Sequence, residues 1–279
     1  MLATLPEEDG NVYEPNIIFE DGVYKMWYSA EWETPTINYA TSTDGLIWTK
    51  SESNPIVLDH NRSFVFKNGL VYYMYAANSA NTSIDIYTSN DGIIWTLDTE
   101  SVISVGSVET WDAGGIANLH VWVEATVWYM LYEAKTTTGN WAIGLATSAD
   151  GRIWIKSESN PVISEDGSVG GPWVKKGTDG YYYLWCHRSI SGKLPTDIYR
   201  YRSADLINWV DYGNLMISRE TTDEGFGTAV GQLADVFVIE SGNNMFVYCS
   251  ASKDGTSKSA GQHIKLFVSP VSGITGAYP

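Results

Sequence analysis

Basic residues, cysteines and long apolar runs are all scarce in this chain. Its 17 Lys and Arg residues stand against 33 Asp and Glu residues, so the formal net charge is −16. Phosphate backbones and anionic lipids repel such a protein, which argues against nucleic acid and membranes as partners. No apolar run approaches the roughly 18 residues that a membrane-spanning helix needs. The two cysteines are too few for a disulfide framework.

Metal-ligand and targeting patterns are missing as well. The four histidines, at positions 60, 120, 187 and 263, are scattered and lack the spacing of a zinc site. Residues 1–10 contain no basic segment followed by an apolar one, so this chain shows no signal peptide. The acidic balance and the sequon Asn81-Thr82-Ser83 nevertheless favour an extracellular or periplasmic location.

Against these absences stands a repeated motif, Ser-x-Asp-Gly-x-x-Trp. It occurs within residues 40–48, 87–95 and 146–154, and residues 201–209 hold a weaker copy in which Leu206 replaces the glycine. Asp-Gly between two apolar runs predicts a hairpin turn, because both central turn residues favour positive φ. The aspartates are 47, 59 and 55 residues apart. Repeats of about 40–50 residues with several short strands each indicate propeller blades.

The segments before these turns divide into pairs of strands. Each pair is a short run, a turn and a second, more apolar run, as expected for strands buried on both faces. The first strands are predicted at 14–19, 61–66, 118–123, 171–176 and 235–240, and the second at 23–30, 71–77, 127–134, 181–188 and 244–250. No linker divides the chain. The sequence therefore predicts an all-β fold, a single five-bladed β-propeller over residues 1–279 with four antiparallel strands per blade.

The first strand of each propeller blade lines the central channel, so the residues at its head face a shared mouth. Unlike the turns, the residues predicted at the mouth differ from blade to blade. The strand heads are Glu14, Asn61, Asn118, Gly171 and Asp235, and the second strands end at Ser29, Ala77, Glu133, His187 and Ser250. Carboxylates gathered in an aromatic-lined mouth are suited to glycosidic hydrolysis, which needs one protonated acid and one ionised base or nucleophile.

These strand pairs resemble the five-bladed propeller glycoside hydrolases, the superfamily of arabinanases, β-xylosidases, arabinofuranosidases, invertases and levansucrases. The resemblance rests on Glu14-Pro15-Asn16-Ile17, on the repeated turns, and on Gly171-Pro172-Trp173. It covers nearly the whole chain as architecture. It implies a carbohydrate substrate and no required cofactor, and it is compatible with a Ca²⁺ or other cation bound in the channel.

The resemblance assigns the catalytic positions only in part. The blade 1 carboxylate of the family falls on Glu14, and its blade 3 aspartate falls nearest Asp112. The general acid of the family, a Glu before Gly-Pro, falls on Gly170, so the expected acid is absent. Glu133 is the preferred substitute and Asp235 the second.

These positions give a working mechanism and a set of substrate contacts. Glu14 would activate water, Glu133 or Asp235 would donate the proton, and Asp112 would help to set the pKa of that donor. Inversion is expected if the paired carboxyls lie about 6.5–9.5 Å apart, and retention if they lie about 5 Å apart. The predicted substrate-binding residues are Asn16, Trp32, Asn61, Arg62, Trp111, Asn118, Trp173, His187 and Arg188.

Other interpretations of the same residues stay open. Glu14 is also compatible with a surface acid, Asp112 with a turn residue, and Glu133 beside His187 with a structural pair. The glycine at position 170 favours a second function, a non-catalytic carbohydrate-binding propeller. A six-bladed sialidase is a third interpretation, but its Asp-box has one more residue between Asp and Gly, and too few blades are predicted here.

Overall fold

The computed structural model describes residues 11–30, 34–189, 196–212, 232–241, 244–252 and 262–270. These residues form five antiparallel sheets that follow one another along the chain. The innermost strands of neighbouring sheets contact one another in a closed ring, since the first and fifth also meet. The predicted five-bladed β-propeller is confirmed.

Blades 1 to 3 take up the first part of the chain. Blade 1 consists of β1 (Val12–Glu20), β2 (Val23–Ala30), β3 (Thr36–Ser42) and β4 (Thr49–Lys50), and the short β5 (Val57–Leu58) also pairs with β3. Blade 2 consists of β6 (His60–Asn68), β7 (Val71–Asn78), β8 (Ser83–Ser89) and β9 (Thr96–Ser104). Blade 3 consists of β10 (Gly115–Glu124), β11 (Val127–Lys135), β12 (Trp141–Ser148) and β13 (Trp154–Lys156).

Blades 4 and 5 complete the ring. Blade 4 consists of β14 (Val169–Lys176), β15 (Tyr182–Ser189), β16 (Thr196–Ser203) and β17 (Trp209–Asp211). Blade 5 has three strands within the described residues, β18 (Gln232–Ser241), β19 (Asn244–Ser252) and β20 (Gln262–Pro270). The first strands of all five blades begin earlier than the sequence predicted, by one to three residues. No helix in the described ranges has the length and hydropathy to cross a membrane.

The core lies between the blades, because each sheet buries both faces against its neighbours. One apolar cluster joins blades 1 and 2 around Trp27, and another joins blades 3 and 4 around Leu184. The largest cluster includes residues of all five blades. The strand residues on both faces of each sheet are therefore mostly apolar, which explains the near-continuous apolar runs in the sequence.

The repeated turns differ from the two-residue hairpin that the sequence predicted. β3 ends at Ser42 and β4 begins only at Thr49, and of the Asp-Gly pair only Gly45 has a positive φ. Asp44 instead accepts hydrogen bonds from the backbone N–H groups of the residues two and three positions after it. The weaker copy of the motif forms the same turn, because Leu206 has a positive φ of 67°, as the glycine has in the other copies. The carboxylate holds a wide turn, so positive φ is needed at one position only.

Candidate functional site

A pocket opens on the central channel and is lined by the inner strands of all five blades. Counting its open mouth, it encloses about 350 Å³. The polar side chains that line it are Glu14, Asn16, Arg62, Ser63, Asn118 and Asp235. The sequence predicted that residues from distant blades would meet here, and the fold brings these together.

A β-bulge near the start of each inner strand shapes the mouth. In every blade, two residues of the inner strand face one residue of the second strand. Such a bulge re-aims the side chains of the inner strand. The first bulge residues are Glu14, Arg62, Gly171 and Asp235 in blades 1, 2, 4 and 5; in blade 3 the bulge is Ala117 and Asn118, and its second residue, Asn118, is the one that lines the pocket. The sequence alignment had placed Asn61 at the head of blade 2; the bulge gives that place to Arg62.

Hydrogen bonds between blades fix these heads. In four blades the head residue donates its backbone N–H to a side chain at the end of the preceding blade's second strand. The pairs are Arg62 with Ser29 (2.9 Å), Gly171 with Glu133 (2.9 Å), Asp235 with His187 (3.2 Å) and Glu14 with Ser250 (2.8 Å). A serine, a glutamate and a histidine thus fill one geometric position, and their chemistry can differ without disturbing the ring.

Glu14 is buried and surrounded by donors. Its Oε2 accepts hydrogen bonds from the Ser29 hydroxyl at 2.8 Å and from the Arg62 backbone N–H at 3.0 Å. Its Oε1 lies 3.2 Å from Arg62 Nε. Burial raises the pKa of Glu14 to about 8; the Arg62 charge opposes this increase, and the charges of Asp235 and Glu133 add to it. The protonated form of Glu14 is therefore favoured at neutral pH.

Asn118 connects the other two acids of the mouth. Its Nδ2 donates to Glu133 Oε2 at 2.9 Å and to Asp235 Oδ1 at 3.0 Å. Because both oxygens bond to the same nitrogen, they lie at most 2.9 + 3.0 = 5.9 Å apart. The amide group thus holds one carboxyl of blade 3 and one of blade 5 at a fixed, short separation.

His187 contacts Asp235 twice. Its Nδ1 accepts the Asp235 backbone N–H and lies 3.5 Å from Asp235 Oδ1. Because Nδ1 accepts the Asp235 N–H, it carries no hydrogen itself, and the neutral ring has its proton on Nε2. His187 therefore orients the strand head on which Asp235 stands.

Gly170, where the resemblance places an acid, is filled by another residue. A Cβ at this position would lie 2.2 Å from Glu133 Cδ and 2.3 Å from Glu133 Oε2. The carboxyl of Glu133, which comes from blade 3, thus occupies the space in which a side chain of residue 170 would begin. The lack of a side chain at position 170 leaves the room that the buried carboxyl of Glu133 occupies.

The residues two positions after the strand heads form one layer at the pocket. They are Asn16, Phe64, His120, Trp173 and Phe237, one from each blade, and all of them except His120 line the pocket. Ring contacts join the four aromatic members, for example Phe64 to His120 at 4.4 Å and Trp173 to Phe237 at 6.1 Å between centroids. Burial lowers the pKa of His120 to about 3, so its ring is neutral. Asn16 is the one non-aromatic member of this layer.

Six predicted site residues in the described ranges do not line the pocket: Asn61, Trp111, Asp112, Glu133, His187 and Arg188. Glu133 and His187 lie directly behind it, bonded to Gly171 and Asp235. Asp112 accepts hydrogen bonds from Thr110 and from Lys156 on β13, the outermost strand of blade 3. Trp111 packs on Tyr132, with 5.6 Å between centroids.

Arg188, on the opposite side of β15 from His187, pairs with Glu165, in the segment between β13 and β14, and with Asp211 of β17. Its Nη2 lies 2.9 Å from Glu165 Oε2, and its Nη1 lies 3.3 Å from Asp211 Oδ2. In this geometry Asp112, Trp111 and Arg188 contact other residues of the protein and do not line the pocket. Trp32 lies outside the described residues.

Sequence analysis missed the lining residues Phe64, Phe237 and Ser63. The signal was present, because residues two apart on a strand share a face. Counting two positions on from each strand head gives the layer that contains Phe64 and Phe237. Asn61, which was predicted, is buried beside Arg62 and is not among the residues that line the pocket.

The cation that the resemblance allows was tested against the side chains present. Within the described ranges, no group of three His, Cys, Asp or Glu side chains is placed to hold a metal ion. The residues therefore do not fit a metal held by such a set, and no catalytic step is derived through one.

Comparison with solved structures places the fold. No family model and no curated protein matches the sequence. A structure described as a glycoside hydrolase is 14% identical, with a TM-score of 0.76 over 96% of this chain and 90% of that one. The α-L-arabinofuranosidase PaAbf62A from Podospora anserina, in complex with cellotriose, is 12% identical, with a TM-score of 0.72 over 97% and 96%.

A thermostable family-43 glycoside hydrolase is similar at 13% identity, with a TM-score of 0.69 over 94% of this chain and 89% of that one. At these identities the likeness shows the fold alone. The chain thus has the five-bladed β-propeller fold of these glycoside hydrolases, as the resemblance predicted.

Proposed function

We propose that this protein hydrolyses glycosidic bonds of an oligosaccharide or polysaccharide in the central pocket. The observation that carries the proposal is the meeting of Glu14 and Asp235, from blades 1 and 5, on one pocket, with the Glu133 carboxyl of blade 3 bonded directly behind it to Asn118 and Gly171. Glycoside hydrolysis requires a proton donor and a second carboxylate next to the scissile bond.

The surroundings of these acids suit a sugar. Asn16 and Ser63 offer unpaired polar atoms to a ligand, and Trp173 and Phe237 offer apolar faces. A sugar ring has polar edges and apolar faces, so both kinds of contact are useful. The arabinofuranosidase named among the similar structures supports arabinose-type glycosides first, with xylosides and galactosides as further candidates.

The geometry changes the expected division of roles. From the sequence, Glu14 was expected to activate water, but a carboxyl that burial keeps protonated near neutral pH is a poor base. Asp112 bonds to Lys156 and does not line the pocket, so it is not placed to set the pKa of a proton donor there. The proposal therefore keeps Glu14, Glu133 and Asp235 and drops Asp112.

The test is a screen for product release from chromogenic arabinosides, xylosides, galactosides and fructosides. Asp235→Asn should reduce kcat by about 10²–10⁴-fold on any substrate that the wild type cleaves. The control is Glu124→Gln, at the turn end of the hairpin that carries Asn118 and Glu133, where the carboxylate bonds to Lys176 and Tyr182. Equal activity in wild type and Asp235→Asn would contradict the proposal.

A non-catalytic carbohydrate-binding propeller is the second candidate. It is favoured by the hydrogen bonds that Glu14 and Glu133 already make within the protein, which are typical of structural acids. Binding of an oligosaccharide by calorimetry, with no product after prolonged incubation, would favour this function over hydrolysis.

A further inference from the structure

A second cavity, the seam cavity, lies between blades 2 and 3 at the end of the blades that carries the repeated turns. The space in it that is open to water-sized molecules is about 510 Å³, within the roughly 300–1,000 Å³ of small-molecule sites. β7 runs from Val71 at this cavity to Ala77 next to the strand head of blade 2. That length of strand spans about 20 Å, so the seam cavity is separate from the central pocket.

An ion pair that the other turns lack forms one wall of the seam cavity. Arg152 Nε and Nη2 donate to Asp98 Oδ2 and Oδ1, at 2.8 and 3.0 Å, and so join blade 3 to blade 2. The equivalent turn positions hold Leu46, Ile93 and Ile207. All four residues donate their backbone N–H to the turn aspartate in the same way. The turn itself therefore does not need an arginine here.

Three neutral polar side chains at the seam cavity have no hydrogen-bond partner among the described residues. They are those of Thr88, Asn90 and Thr96. Blade 4 has Ala204 and Val210 at the positions of Asn90 and Thr96, so the repeated turn does not require polar side chains there. The hydroxyl and amide groups are thus available to a ligand.

An aromatic ring and two aliphatic side chains supply the apolar surface of the seam cavity. The ring of Tyr73 stacks on Phe66 at 5.7 Å and meets Trp128 edge-on at 5.5 Å between centroids, and these contacts hold it in place. Val71 and Ile94 also line the cavity. A fixed ring beside neutral hydrogen-bonding groups suits a sugar, which has apolar faces and polar edges.

The charge of the seam cavity restricts the kind of sugar. Two carboxylates, those of Asp91 and Asp98, line it together with one guanidinium, that of Arg152. The guanidinium is already paired with Asp98. Uronate, sulfate and phosphate groups would therefore meet net repulsion, whereas a neutral glycan would not.

We propose that the seam cavity is a second carbohydrate-binding site, which holds a neutral segment of a polysaccharide away from the central pocket. The inference takes the class of its ligand from the proposed function. A polymer that is held at both sites dissociates more slowly than one held at the central pocket alone, because each contact keeps the other site close to the chain.

The other blades supply substitutions that the fold accepts. The test variant combines Asn90→Ala, Thr96→Val and Arg152→Leu, each of which introduces a residue type that an equivalent turn already has. The matched control combines Thr43→Ala and Thr49→Val in the turn of blade 1, at the positions equivalent to 90 and 96. Thermal unfolding verifies that both variants fold.

The measurement is affinity electrophoresis in native gels that contain arabinan, xylan or galactan. The test variant, the control and their parent all carry Asp235→Asn, so that the polymer stays intact. At least one polymer should retard the parent. The test variant should bind that polymer about tenfold or more weakly, because several ligand contacts are lost, and the control should bind it as the parent does. Polygalacturonate, which is anionic, should retard none of them.

Equal retardation of the test variant and the parent would overturn the second site, and so would the absence of retardation by all three neutral polymers. Stronger retardation by polygalacturonate than by the neutral polymers would overturn the ligand class. Asn90→Ala alone, which should weaken binding about threefold, decides the question if the triple variant does not fold. Cleavage of chromogenic glycosides by the wild type tests the proposed function separately, because it does not depend on retardation in these gels.

Discussion

The two ends of the blades obey different rules. At the turn end, four blades repeat one set of bonds: Ser42, Ser89, Ser148 and Ser203 each accept two backbone N–H groups, and the aspartate two positions later accepts two more. At the mouth, the bulges of the five blades carry Glu14, Arg62, Asn118, Gly171 and Asp235. The four described turns thus share one chemistry, whereas the five mouth positions all differ.

This difference shows where the fold constrains the sequence. A turn needs the same donors and acceptors in every blade, so its residues recur. The mouth needs only a bulge and one acceptor for the next blade's N–H, which Ser29, Glu133, His187 and Ser250 all provide. Side chains beyond that requirement are free to serve a ligand.

Replacing a glycine at each end should give the largest contrast. Gly170→Ala forces the Glu133 carboxyl, 2.2 Å from the new Cβ, out of its bonds to Asn118 and Gly171. We expect a loss of about 1–3 kcal/mol in the free energy of unfolding and about 10²-fold or more in kcat. The measurements are urea denaturation and the rate on a cleaved glycoside.

Gly69→Ala at a turn is the matched control. Nothing lies within 4 Å of its Cβ position, but its φ of 63° strains an alanine, which costs about 1 kcal/mol. It should lower stability and leave kcat unchanged. Full activity of Gly170→Ala would mean that catalysis does not depend on the present position of the Glu133 carboxyl.

The pH dependence of stability should have opposite signs at the two ends. Burial raises the folded-state pKa of Glu14 from 4.5 to about 8. Between these values the folded state holds a proton that the unfolded state has released, so stability falls as the pH rises. Glu14→Gln should remove a decrease on the order of 2 kcal/mol between pH 5 and pH 8, measured by urea denaturation at several pH values.

The turn aspartates act in the other direction. Backbone N–H groups lower the pKa of Asp91, with the Ile94 N–H as the largest cause, and those of its equivalents are lowered in the same way. Their contribution is complete above the ordinary pKa near 3.8 and is lost as the pH falls below it. Asp91→Asn should alter only this acidic limb. A Glu14→Gln profile parallel to wild type from pH 5 to 8 would contradict the buried, protonated Glu14.

The same contrast explains what the sequence could predict. The repeated Ser-x-Asp-Gly-x-x-Trp motif predicted the number of blades and the positions of the turns, because turns held by the same hydrogen bonds have similar sequences. It also gave Glu14 and Asp235, which stand at a countable distance from those turns. The bulge moved the blade 2 head from Asn61 to Arg62, and this shift leaves no mark in composition.

Contacts between distant segments were beyond prediction from the sequence. The pairing of Asp112 with Lys156 depends on an outer strand 44 residues away, and the bridge from Asn118 to Asp235 spans 117 residues. Gly170 was correctly identified as lacking the acid, but only coordinates reveal that Glu133 fills its space. Non-repeated residues must be located by structure because no second copy exists for comparison.

The smallest expected effect tests the equivalence of the turns themselves. Ser89→Ala removes the acceptor for the N–H groups of Asp91 and Gly92, so we expect a loss of roughly 1 kcal/mol in the free energy of unfolding, as for a lost helix cap. Ser42→Ala, Ser148→Ala and Ser203→Ala should match it within about 0.5 kcal/mol, since additive sites in like surroundings behave alike. None should change kcat.

Ser29→Ala is the counterpart at the mouth, a buried serine whose hydroxyl bonds to Glu14 and to the Arg62 N–H. It should lower stability by a similar amount, but it should also change the pH dependence of stability, because the Ser29 hydrogen bond lowers the pKa of Glu14. Unequal losses among the four turn variants, or a change in kcat from any of them, would mean that the turns are not equivalent. A pH profile of Ser29→Ala that coincides with that of Ser89→Ala would remove the distinction between the two ends.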